Sequence, residues 1–124
     1  MRLSEKGRLD VTDCLFCKIV AGQVPGSIVY QDDRVVAFRD VNPQAPMHVL
    51  VVPRRHIASL NELDPEDDDL VGEVIRRAAA LAAEQGHAER GYRTVFNCNA
   101  DAGQTVFHIH LHVLGGRRLG WPPG

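Results

Sequence analysis

With 124 residues, 44% of them hydrophobic and 24% charged, the chain suits one globular domain built on one core. A net charge of −2 offers no basic field for a nucleic-acid partner, and no apolar run reaches the roughly 20 residues that cross a bilayer. The opening MRLSEKGRLDVTD is charged without an apolar stretch, unlike a secretory signal, and three cysteines, an odd number, fit a reducing compartment, so a cytoplasmic location is expected.

Residues 1–12 read as a loose tail. DCLFCKIVAG, Asp13 to Gly22, reads as a short helix with Asp13 as N-cap, Gly22 as stop and Phe16, Ile19 and Val20 as its buried stripe. Two strands follow, Ile28–Tyr30 and Val35–Arg39, joined through QDDR as a hairpin. VNPQAPM carries two prolines and reads as irregular, and HVLVVP, His48 to Pro53, as a well-buried strand. In LDPEDDDLVGEVIRRAAALAAEQG, Asp64 caps a long helix, Pro65 takes its first turn and Gly86 ends it. Its Leu70, Val74, Ile75, Ala78, Leu81 and Ala82 recur at helical spacing and are predicted to face a sheet. Thr94–Asn97 reads as a strand, NADAGQ as a loop and Val106–Leu114 as the last strand. The tail RRLGWPPG is too rich in Pro and Gly for a regular element, and Trp121 there reads as a packing or dimer anchor. The order α-β-β-β-α-β-β predicts an α+β fold: a mainly antiparallel sheet with one main helix packed on it and a short N-terminal helix, residues 13–124 forming a single domain.

Within the last strand lies HIHLH, which sets three of six histidines, His108, His110 and His112, at every second position. Alternation along a strand gives all three one face, with Phe107, Ile109, Leu111 and Val113 on the other. At this histidine frequency roughly 0.015 such triplets are expected by chance. A single metal is a poor explanation for all three. Zinc ligand nitrogens sit about 3.4 Å apart, whereas the outer histidines of a strand triplet are separated by about 13 Å. Phosphate chemistry fits better, with one neutral imidazole as nucleophile and its neighbours as donors to anionic oxygens. A third reading is an interaction module without chemistry. The preceding loop favours phosphate: Asn97, Gly103 and Thr105 supply an amide, a side-chain-free approach and a hydroxyl.

HIHLHVL also fits His-φ-His-φ-His-φ-φ, and DCLFCKIVAGQVP, DDRVVAFRDVNPQAPMHVLVVPRRHI and GQTVFHIHLHVLGGRRLGWPPG extend the likeness from about Asp13 to Gly124. On these motifs the chain resembles the histidine triad (HIT) family, and its ending resembles the Hint branch. The resemblance implies a homodimer that hydrolyses purine nucleoside phosphoramidates through a covalent nucleotidyl-histidine, with no catalytic metal. A nucleotidyl transferase or phosphorylase, or a nucleotide-binding regulator, remains the alternative. It implies His110 as nucleophile, His112 on the phosphate or leaving group, His48 holding and polarising His110, and His108 as first histidine of the triad. Asn97, Gly103, Gln104 and Thr105 would bind phosphate, Asp40 the ribose hydroxyls, and Phe16, Ile19, Phe38 and Val41 would wall the base. Arg39 would stand where that pocket opens.

Cys14 and Cys17 form a CxxC whose spacing suits two zinc ligands, a redox pair or two small packed side chains. The resemblance to a zinc-bearing subgroup implies a structural zinc completed by His56 and His108. Cys98 has no visible partner, and His87 reads as a surface residue after the long helix.

Overall fold

The computed structural model describes residues 13–124; the expected tail, residues 1–12, lies outside the described residues. Helix α1 spans Leu15–Val20 and α2 spans Asp68–Glu84; the strands are β1 (Ile28–Gln31), β2 (Val35–Arg39), β3 (Met47–Pro53), β4 (Tyr92–Val95) and β5 (Leu111–Gly115). All neighbouring strands run antiparallel, in the order β1-β2-β3-β5-β4. This is the α+β sheet-and-helix architecture expected from the sequence.

The sheet is covered on both faces, because its central strands carry apolar residues in both phases of the pleat. Val35, Ala37, Val49, Val51, Leu111 and Val113 pack with the Val74–Ala78–Leu81 stripe of α2. Val36, Phe38, Leu50 and Val52 point the other way, against Phe16 and Ile19 of α1. All seven residues of β3 are therefore buried. Burying a Val, Leu or Phe side chain contributes about 1.5–3 kcal/mol, so both layers matter to stability.

Local chemistry sets the element ends. In the β1–β2 turn, Asp32 Oδ1 accepts from the backbone N–H groups of Arg34 and Val35, both at 2.8 Å. The start of the long helix is a 3₁₀ turn, Pro65–Asp67, which passes directly into α2. Gly22 and Gly86 follow the two helices at φ +75° and +87°, a conformation that suits glycine. The cap of α1 is Cys14 rather than the expected Asp13: the Cys14 thiol accepts from Cys17 N–H at 3.3 Å. Ile75, expected on the buried stripe, is 49% exposed. It stands one residue past Val74, about 100° around the helix and off the sheet-facing side.

Two strands differ from expectation. β4 runs over Tyr92–Val95, two residues earlier than predicted, because the chain leaves the sheet at Phe96 to form the loop around Asn99, whose φ is +63°. The last strand begins only at Leu111. Pairing with β3 stops at Val51 and Leu111, although β3 continues along β2 to Pro53: Pro53 has no N–H to donate, and its carbonyl accepts from the ring Nε2–H of His108 at 2.7 Å. Ile109 N–H instead donates to Ile57 O at 2.8 Å. The alternation nevertheless persists, with Ile109 joining the core under α2.

Candidate active site

The three triplet histidines lie on the face opposite α2, at increasing exposure. His108 is fully buried, His110 packs edge-on against Phe16 with ring centroids 4.9 Å apart, and His112 lies 5.0 Å from His110. From β3, His48 comes within 5.1 Å of the His112 ring. Burial pulls all four imidazoles below the usual histidine range, His108 and His112 to about 4, so they are neutral at pH 7.

Neutral rings have one donor nitrogen and one acceptor, and two backbone groups fix which is which. At one end, His110 Nδ1 lies 2.8 Å from the carbonyl oxygen of His108. A carbonyl only accepts, so Nδ1 carries the proton and Nε2 of His110 keeps its lone pair. At the other end, Gln44 N–H donates to His48 Nδ1 at 3.0 Å. His48 therefore carries its proton on Nε2, which lies 2.9 Å from His112 Nδ1 and 3.4 Å from Asp40 Oδ2. His112 accepts on Nδ1 and so presents Nε2–H as a donor. The result is a nucleophilic nitrogen beside a proton donor, both set by the backbone. The Asp40–His48–His112 cluster, close enough for metal ligands, is a hydrogen-bond chain with the His48 proton inside it.

His110 and His112 open on a cavity of about 320 Å³, the scale of a small-molecule site. Phe16, Ile19, Phe38 and Leu50 give it apolar walls; Asp40 and Val41 stand at the rim with Arg39; Asn97, Gly103 and Thr105 lie beside the histidines. Gly103, at φ +85°, turns the loop without a side chain there. Asp40 Oδ1 is held by Asn42 N–H at 2.9 Å. Val41 is fully exposed in the free chain.

A second cluster lies behind the first. His108 Nδ1 is 3.3 Å from Cys14 Sγ and 3.4 Å from Cys17 Sγ, and His56 Nδ1 is 3.4 Å from Cys17 Sγ. The four donor atoms lie within 4.8 Å of one another. Because His108 donates from Nε2 to Pro53 O, its Nδ1 lone pair faces the sulfurs. Burial, with Cys14 alongside, pushes the Cys17 thiol up to about 12.

Most of the residues singled out in the sequence meet at these two adjoining clusters, with three differences. His48 bonds His112, not His110, since the register pairs His48 with Leu114 and Leu50 with His112. Gln104 is buried away from the cavity, and its amide is fully used: Oε1 accepts from Asn99 N–H at 2.9 Å, and Nε2 donates to Ala58 O at 2.8 Å and Val106 O at 3.1 Å. It braces the loop instead of meeting a phosphate. His108 belongs to the cysteine cluster and meets the cavity side through its carbonyl, on His110 Nδ1, and through its ring edge against Phe16. Sequence reasoning missed Gln44, whose backbone N–H orders the His48–His112 chain; NPQAP marks an irregular loop but not which N–H turns inward.

The HIT domain family model matches residues 21–119. The chain belongs to the HIT family. Among its HIT relatives, purine nucleoside phosphoramidase from Escherichia coli K12 is 47% identical over 108 residues, 87% of this chain and 91% of that protein. A HIT family hydrolase from Legionella pneumophila is 50% identical, with a TM-score of 0.89 over 90% of this chain and 100% of that one. A Zn-bound histidine triad family protein from Mycobacterium smegmatis is 34% identical, with a TM-score of 0.75 over 93% of this chain and 82% of that one.

Proposed function

We propose that this HIT protein hydrolyses the P–N bond of purine nucleoside 5′-phosphoramidates through a nucleotide held covalently on His110. The reading rests on one observation: His110 Nε2, its lone pair fixed by the His108 carbonyl, opens on a nucleotide-sized cavity beside the His112 donor. The purine lies between the apolar walls, and Asp40 accepts from the ribose hydroxyls. Asn97, Thr105 and the backbone at Gly103 hold the phosphate oxygens. His110 Nε2 attacks the α-phosphorus, a P–Nε2 bond forms, and the P–N bond to the amine breaks. The amine leaves with a proton taken from water, while His112 Nε2–H donates a hydrogen bond to the departing nitrogen. The hydroxide so formed adds its oxygen to phosphorus and the P–Nε2 bond breaks, which returns His110 to its neutral form. Dividing one hard displacement into two easier ones is the gain of covalent catalysis. The name of the Escherichia coli relative supports this substrate class.

The test is steady-state turnover of an adenosine or guanosine phosphoramidate. His110→Ala is expected to abolish turnover and keep nucleotide binding; normal turnover in that variant refutes the nucleophile. Binding without turnover in the unaltered protein favours a regulator, and a product joined to an acceptor other than water favours a transferase.

The proposal includes a structural zinc at Cys14, Cys17, His56 and His108. Tetrahedral zinc, at about 2.0 Å to nitrogen and 2.3 Å to sulfur, needs donors about 3.3–3.8 Å apart, and the nitrogen–sulfur separations of 3.3–3.4 Å fall in that range. Bound zinc would hold both thiols as thiolates and close a four-coordinate shell with no open position. The Mycobacterium smegmatis relative, described as Zn-bound, supports this reading. Elemental analysis of protein made with ample zinc and no chelator is expected to find one zinc per chain; none found would remove the assignment. A homodimer completes the proposal: β4 is an edge strand, and sedimentation is expected to give twice the 13.7 kDa chain mass.

A further inference from the structure

Apart from the nucleotide cavity, a second cleft lies where the chain leaving α2 meets the chain leaving β5. It holds about 550 Å³ and is lined by His87, Arg90, Arg117 and Arg118 around glycine backbone. An adjoining hollow of about 290 Å³ shares Arg90, Arg117 and Arg118 and adds Arg93. Among the described residues no acidic side chain lines either space, although the chain as a whole has a net charge of −2. Elsewhere arginines meet compensating groups: Arg34 pairs with Glu73, Arg55 with Asp67, and Arg77 stacks on Tyr30.

In the cleft the guanidinium groups are oriented but not neutralised. Arg117 Nε–H donates to Gln44 O at 2.8 Å and its NH1 to Arg118 O at 3.0 Å; Arg93 NH2 donates to Gly120 O at 2.8 Å. Carbonyls carry no net charge, so both groups keep theirs and have further N–H donors to offer. The guanidinium groups of Arg90 and Arg118 have no hydrogen bond or ion pair among the described residues, and Glu89, next to Arg90, forms no ion pair either. The walls are held by tight turns. His87 N–H donates to Ala82 O and Gly91 N–H to His87 O, while the His87 ring packs against Gly115 and Gly116 with no room for a β-carbon at Gly115. Like charges gathered without a counter-charge repel one another, and a bound anion removes that cost.

We propose that this cleft is an anion site for a small linear polyphosphate, separate from the nucleotide cavity, with which it shares no lining residue. Guanidinium forks match phosphate oxygens in bidentate pairs, and Arg90, Arg117 and Arg118 around one cleft match several phosphates in a row.

The experiment is calorimetric titration of the full chain with tripolyphosphate, inorganic phosphate and a single-stranded octanucleotide, at one fixed ionic strength. One tripolyphosphate per chain is expected, at least tenfold tighter than inorganic phosphate. Arg90→Gln/Arg118→Gln should weaken it tenfold or more with an unchanged circular dichroism spectrum and unchanged nucleotide turnover; Arg118→Glu alone should weaken it in the same direction. Three results overturn the proposal: equal binding by the variants, displacement of tripolyphosphate by a nucleoside monophosphate, or tighter binding of the octanucleotide. Because the readout is binding, a chain without phosphoramidate turnover still tests the cleft.

Discussion

Replacing His48 by Leu tests the proton arrangement most directly. In the native chain, Gln44 N–H fixes Nδ1 of His48 as acceptor, and His48 Nε2–H, 2.9 Å from His112 Nδ1, holds the His112 proton on the side facing the cavity. Leucine removes that restraint. His112 then moves its proton to Nδ1, which lies near Asp40, and presents a lone pair where a donor is needed. A hydrogen bond to a charged partner is worth about 1.5–3 kcal/mol, so turnover is expected to fall roughly 10- to 150-fold. The half-buried Gln44 N–H also loses its acceptor, at a cost of about 1 kcal/mol in stability. His48→Gln offers an amide donor toward His112 and is expected to recover part of the activity. The assay is kcat and KM for a phosphoramidate with a fluorescent amine leaving group, alongside urea unfolding. The loss should lie in kcat, since His48 does not line the cavity. Activity of His48→Leu within threefold of the native value would refute the ordering of protons deduced here.

Gln104→Leu leaves Asn99 N–H and Ala58 O without their partner, so urea unfolding should show a loss of about 2–4 kcal/mol; a loss below 1 kcal/mol would contradict its role as a brace. Burial lowers the His110 pKa below its ordinary value of 6.5, and the nucleophile must be neutral, so kcat/KM should stay level from pH 8 to 6.5 and fall only at lower pH; an acid limb at or above 6.5 would be inconsistent. His112 titrates at about 4 in the folded chain against 6.5 unfolded, so the stability it contributes is present above pH 6.5 and is lost as pH falls toward 4, seen as a falling Tm. Gly115→Ala brings a methyl group 2.9 Å from the His87 ring, and thermal unfolding should register about 1–3 kcal/mol of overpacking; an unchanged Tm would count against that contact.

Periodicity was a sound guide to the fold because burial follows it. The α2 stripe, the β1–β2 hairpin and β3 could all be read from the chain, as could the shared face of His108, His110 and His112. Strand limits were less legible. The last strand's pairing with β3 stops at Leu111, before the His108 ring that takes the Pro53 carbonyl, a fact of spatial register that no local pattern carries. The same holds for the site. Spacing paired Cys14 with Cys17, the family resemblance added His56 and His108, and the four do converge. Which nitrogen of each histidine holds a proton depended on Gln44 N–H and the His108 carbonyl, groups that every residue possesses and that only folding can aim. Gln104 misled because an amide beside a glycine loop suits an anion and a buried brace equally well.

One short segment serves two masters. From Ile109 to Val113, every other side chain fills the oily layer beneath α2, and the two between, His110 and His112, line the cavity. Gaining or losing a single residue just upstream would exchange the two sets, sending imidazoles into hydrocarbon and leaving isoleucine and leucine to face the cavity. Natural variants of this protein should therefore tolerate length changes in the loop at residues 98–103 only where the slack is absorbed before Gln104, whose three hydrogen bonds act as the latch that keeps the reading frame of the sheet.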